Sequence, residues 1–155
     1  MANGRVAPYP NYSYLVDLKG PRDPEKPLGG FSEVAGLKTE LHMSEYRDGN
    51  DVNPWVHKYA GMHTSGDVTL KRGVVDPTDL WDWVTQARTS GASAQRDVTI
   101  TLRDEGNTPV VIYKLYAVTP KGYNGPAMKG TGTGDLAIEE LVLAVENIEV
   151  SLASS

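Results

Sequence analysis

Along the chain, stretches that alternate between apolar and polar residues are separated by stretches rich in glycine and proline. Over residues 11–19, Tyr12, Tyr14, Val16 and Leu18 alternate with Ser13, Leu15 and Asp17, which predicts a strand with one packed face. Residues 20–30, GPRDPEKPLGG, are dense in breakers and charges and predict a loop. Residues 31–35 form a short predicted strand closed by Gly36. The alternation over 37–46 is clean. Leu37, Thr39, Leu41 and Met43 fall on one face, and Lys38, Glu40, His42 and Ser44 on the other. Residues 47–61 have no strand pattern and predict a long loop, with the turn pair Asp48-Gly49, then Pro54, then an aromatic stretch over 55–59. Connections are usually about 4–6 residues, and much longer ones are commonly functional. Residues 66–73 predict a strand with Val68 and Leu70 inward and Thr69 and Lys71 outward.

One helix is predicted, over 77–89. Asp76 is placed to cap it, Pro77 suits its first position, and Asp79 favours the N-terminal dipole. Leu80, Trp83, Val84 and Ala87 form an apolar stripe at helical spacing, the predicted packing face. Residues 97–103 and 110–118 pair as a hairpin around Glu105-Gly106-Asn107. Residues 119–134 read as loop. Residues 135–150 suit a helix or a strand: Leu136, Glu140, Leu143 and Ala144 fit the first, and Ala137, Glu139, Leu141, Leu143 and Val145 the second.

The 155 residues suffice for one domain with a real core. Residues 1–10 read as an arm and 11–155 as a single domain. Sixteen glycines, ten prolines and a single phenylalanine fit short strands joined by many turns. No cysteine is present, which excludes disulfides and thiolate metal sites. The net charge of −5 argues against binding nucleic acid by neutralising phosphates. No apolar run reaches the roughly 20 residues that span a bilayer, so no membrane insertion by the monomer is expected. The first residues lack a signal-peptide pattern.

Candidate chemistry is sparse. His42, His57 and His63 match no metal-binding spacing, so no metal and no cofactor is expected. No G-x-S-x-G elbow occurs, and the glycine run over 130–134 follows its lysine, Lys129, where a phosphate loop needs the glycines first. Glu139 and Glu140 are adjacent, so on a strand they point to opposite faces and share no proton. Trp81 and Trp83 read as helix packing residues, and Lys71-Arg72 is too short for a basic patch. No catalytic residue is expected, and the chain reads as a non-enzyme.

Six segments in order carry a more specific signal. They are NYSYLV at 11–16, GFSEVAGL at 30–37, EYRDG at 45–49, GDVTLKRG at 66–73, LWDW at 80–83 and AIEEL at 137–141. In this order and spacing, over about residues 9–150, the chain resembles the tail-tube proteins of contractile phages and of phage-tail-like contractile injection systems. The resemblance implies a mainly β fold of two packed antiparallel sheets in a barrel-like body, with one flanking helix at about 77–89. It also implies a strand for the ambiguous last segment. Six subunits would form a ring whose inner strands join around a channel, which removes exposed sheet edges. The rings would stack into a tube through heterologous contacts.

Carried onto matching positions, the resemblance places inter-ring contacts at Arg47, Asp48, Gly49, Asn50, Asp51 and Trp55. The strand over 37–46 would set its apolar face on the subunit core and its polar face, Lys38, Glu40, His42 and Ser44, on the channel. The partners implied are further copies of the chain, a contractile sheath protein, baseplate or spike proteins, tape-measure or cap proteins, and DNA or protein cargo. Assembly would take place in the bacterial cytoplasm, as part of a phage tail or related particle that can be released. The loop over 20–30 is longer than the family pattern requires. Two other readings are a type VI secretion tube-ring protein, which shares the architecture, and a monomeric β-sandwich binding module with an aromatic patch at 55–59.

Overall fold

A computed structural model describes residues 6–18, 30–74, 78–132, 134 and 136–153. The strands are β1 (Tyr14–Asp17), β2 (Glu33–Ala35), β3 (Thr39–Tyr46), β4 (His57–Ser65) and β5 (Val68–Gly73). The helix α1 (Thr78–Ser90) follows, then β6 (Arg96–Arg103), β7 (Pro109–Asn124), β8 (Ile138–Ala144) and β9 (Asn147–Leu152). Every pairing among them is antiparallel.

The main sheet runs β1-β6-β7-β8-β5-β2, with β9 also on β7, and β3 pairs only with β4. Strand β7 belongs to both halves of the main sheet. Its first part pairs with β6 and β9, and residues 119–124 pair with β8. The change of partner falls beside Ala117, which has a φ of 52°. There the Asp97 carboxylate accepts the Ala117 N–H at 3.3 Å, and Tyr116 C=O accepts Glu146 N–H at 3.2 Å. Peptide groups that leave the regular ladder thus keep partners at the corner.

The two halves close on one core. Val16, Val98, Ile100 and Leu115 from one half meet Val68, Leu70, Leu141 and Leu143 from the other. Helix α1 adds Leu80 and Trp83 as buried residues, with Val84 and Ala87 partly buried against them. The Trp83 Nε1–H reaches Ala94 C=O at 2.8 Å, which satisfies the one polar atom that this large side chain brings inside. The Arg96 guanidinium covers the Trp83 ring at 4.9 Å, and its burial there lowers the guanidinium pKa.

The predicted alternation places these elements well, with four corrections. The segment read as a loop over 47–61 ends at residue 56, because β4 begins at His57. Strand β7 continues to Asn124 through the region read as loop from residue 119. The last segment is two strands, β8 and β9, broken at Val145 and Glu146. The apolar face of β3 does not reach this chain's core, since every residue of β3 is exposed. The proposed helix cap, Asp76 and Pro77, lies outside the described residues, as do most of the 20–30 loop and the first half of the arm.

Candidate assembly surfaces

Strands β3 and β4 stand clear of the body as a two-stranded projection. All of β3 is exposed, and so is β4 up to Thr64. Two devices shape this projection. At its root, Gly36 has a φ of 89°, and a Cβ there would collide with Asp67 C=O, so only glycine fits the bend. In its middle, Leu41 pairs with His63 and Met43 with Ala60, which leaves Gly61 and Met62 opposite His42 alone. This is a β-bulge. A Cβ on Gly61 would sit 3.0 Å from His42 C=O, so glycine allows the close approach.

Register then fixes the faces, because directly paired residues share a side. Glu40 with Thr64, Ser44 with Tyr59 and Tyr46 with His57 fall on one face. Thr39 with Ser65, Leu41 with His63, Met43 with Ala60 and Glu45 with Lys58 fall on the other. The residues expected on the polar face, Lys38, Glu40, His42 and Ser44, are all exposed, and Lys38 Nζ meets Glu40 Oε1 at 2.7 Å.

The tip, residues 47–56, is organised from within. The Arg47 guanidinium donates to Asn53 C=O at 3.2 Å and to Asp51 C=O at 3.4 Å. Asp48 C=O accepts Asp51 N–H at 3.0 Å, and the Asp48 carboxylate accepts Asn50 N–H at 3.2 Å. Asp51 Oδ2 in turn accepts Asp48 N–H at 3.3 Å and lies 3.2 Å from His57 Nε2. Residues 47–51 are therefore one knot, from Arg47 and Asp48 through Gly49 to Asn50 and Asp51, and Trp55, later in the tip, is exposed. Sequence reasoning located this segment but missed the link to His57, which it had placed inside the same loop.

The body has a polar cluster of another kind. Arg72 Nε and Glu139 Oε1 are 2.5 Å apart, and both side chains are buried. Tyr123 O–H donates to the other carboxylate oxygen, Oε2, at 2.7 Å. Burial, and then this bond to Glu139, raises the Tyr123 pKa. Arg72 also lies over the Phe31 ring at 5.7 Å. The group joins β5, β8 and the end of β7. On the opposite face of the same strands, Glu33, Lys71, Glu140 and Asn124 form a row in register, with Lys71 Nζ 3.5 Å from Glu33 and 4.0 Å from Glu140. Glu139 and Glu140 thus serve opposite faces.

His42 faces the bulge, His63 pairs with Leu41 and His57 binds Asp51, so the three histidines do not converge. Among the described residues no group of three His, Cys, Asp or Glu side chains could hold a metal ion. Among them, too, no helix is long and apolar enough to cross a membrane.

The family model described as T4-like virus tail tube protein gp19 matches residues 10–149. No curated protein matches the sequence. Among solved structures, the chain is similar to a chain of the sheath/tube terminator of an extracellular contractile injection system, PVC, in its extended state. That match has 25% identity and a TM-score of 0.77, and covers 94% of this chain and 97% of the other. A chain in the tube-terminating cap of the anti-feeding prophage matches with 21% identity and a TM-score of 0.80, covering 95% and 93%. A type six secretion system protein is more distant, with 11% identity and a TM-score of 0.56, covering 90% and 82%.

Proposed function

This chain belongs to the T4-like virus tail tube protein gp19 family and is a tail-tube subunit of a phage tail or phage-tail-like particle, and we propose that its copies close into six-membered rings which stack into a hollow tube. The tube acts mechanically and without catalysis. A contracting sheath drives it through a target envelope, and DNA or protein cargo travels in its lumen. Copies assemble in the cytoplasm on a baseplate, and the finished particle can be released.

One observation supports assembly beyond the family match: the β3–β4 projection is exposed on both faces. A lone two-stranded hairpin is marginal in water, so a projection of this length needs a surface to rest on. Self-assembly supplies one. Within that reading, the Arg47–Asp51 knot and Trp55 meet the neighbouring ring. The polar side chains Lys38, Glu40, His42 and Ser44 line the lumen, where water satisfies them.

The sheath and baseplate are the partners suggested by similarity to chains of the PVC sheath-tube complex and the anti-feeding prophage baseplate. Seeding tests this. Baseplate particles mixed with the purified chain should start tubes at concentrations where the chain alone gives none. Equal polymerisation with and without baseplates would contradict templated growth.

A further inference from the structure

The core of this chain runs off one side of the molecule. Val16, Ile100, Tyr113 and Val150 are paired in sequence across β1, β6, β7 and β9 and share one face. Val16 and Ile100 are 3% exposed, Tyr113 is half-buried, and Val150 is 60% exposed. The next row, Tyr14, Leu102, Val111 and Leu152, ends with Leu152 78% exposed. The row on the other side, Val98, Leu115 and Ile148, is closed, since Ile148 packs against the core. A face that is core at one end is bare at the other, and among the described residues β9 pairs with no strand other than β7.

The chain also carries an apolar face with no core beneath it, Leu41 and Met43 on β3. The root of this projection is held near the start of β9, where Ser65 Oγ donates to Glu146 C=O at 3.4 Å. Even so, neither bare surface covers the other within one chain. The eight-residue β3 is long enough to lie along the whole of the six-residue β9, which spans about 20 Å.

We propose that Leu41 and Met43 of one copy seat on the Val150–Leu152 strip of a second copy, completing its core. The proposal rests on the tube reading and names the contact inside a ring. Two different patches meet, so the contact is heterologous and repeats from copy to copy until rotation closes it. It also explains why the apolar alternation of β3 finds no core at home: the core it fits belongs to the neighbour.

Disulfide trapping tests this cleanly, because the chain has no cysteine of its own. Double variants combine Leu41→Cys or Met43→Cys with Val150→Cys or Leu152→Cys, and assembled material is oxidised and run without reductant. The expected result is a covalent ladder of multimers from at least one pair. In parallel, Val150→Glu should leave the melting of the unassembled chain unchanged, since Val150 is already exposed there, and weaken ring association about tenfold or more. Rings that form normally yet give no ladder from any pair overturn the contact while the tube reading stands. A disulfide within one chain, or one to a sheath subunit, overturns it by naming another occupant. A chain that never assembles, even on baseplates, defeats both.

Discussion

The buried Arg72 guanidinium and Glu139 carboxylate meet at 2.5 Å, and Tyr123 completes the carboxylate from the other side at 2.7 Å. Three strands are tied at one point inside an apolar core. Removing either charge takes away the ionic partner of the other inside the core, so Arg72→Ala or Glu139→Ala should each cost about 3–5 kcal/mol. Tyr123→Phe removes a single bond to a charged group and should cost about 1.5–3 kcal/mol. The double change Arg72→Met with Glu139→Leu should cost less than either alanine variant. Urea unfolding of the unassembled chain measures all four. Alanine losses near zero would show that water reaches the pair.

Gly36 sets the direction of the projection. Gly36→Val adds a Cβ that collides with Asp67 C=O at a φ of 89°. Strained non-glycine residues cost about 1–3 kcal/mol. The expected outcome is a modest loss of stability and a large loss of assembly, because the projection would leave the body at another angle. Circular dichroism melts compared with assembly yields check this. Unchanged tubes would mean that the bend does not aim the projection.

The tip makes a separable prediction. Asp48 and Asn50 hold the knot through short backbone bonds and are exposed, so bulky replacements alter the tip and leave the body alone. Replacing both with tryptophan should block stacking and keep single rings intact, as size exclusion with electron microscopy would show. Normal tubes from this variant would remove the tip from the inter-ring contact.

The lumen assignment is tested by charge. Glu40 is exposed and paired with Lys38 at 2.7 Å, so Glu40→Lys turns a neutral pair into two positive charges per copy. The body should melt unchanged within about 0.5 kcal/mol, as expected for a surface position. Cargo content of purified particles should change, with polyanionic cargo held more tightly. Identical loading would move this face off the channel.

Much of the body was legible because burial imposes a rhythm. Val68 and Leu70 alternate with Thr69 and Lys71 because one side of β5 is core. The stripe Leu80, Trp83, Val84 and Ala87 marks the helix for the same reason. The rhythm fails where burial does not set it. Strand β4 has Tyr59, Gly61 and Met62 around a bulge, so its parity breaks in the middle and reads as loop. The end of β7 contains Pro120 and Gly122, yet it stays in the sheet through a register shift between them. Glu139 and Arg72 look like surface charges in the sequence, because only the fold brings the two together over 67 residues. The projection is the most instructive case: the alternation of Leu41 and Met43 reads as a packed face, yet both side chains are exposed in the single chain, because periodicity marks an apolar face and does not say what covers it.

The central claim is that the chain builds a hollow tube from rings. Negative-stain electron microscopy of the purified protein, with light scattering for mass, addresses it most directly. Six-fold rings or hollow tubes are the predicted result. A particle of one chain's mass, 16.8 kDa, at every concentration and in the presence of baseplates would contradict it.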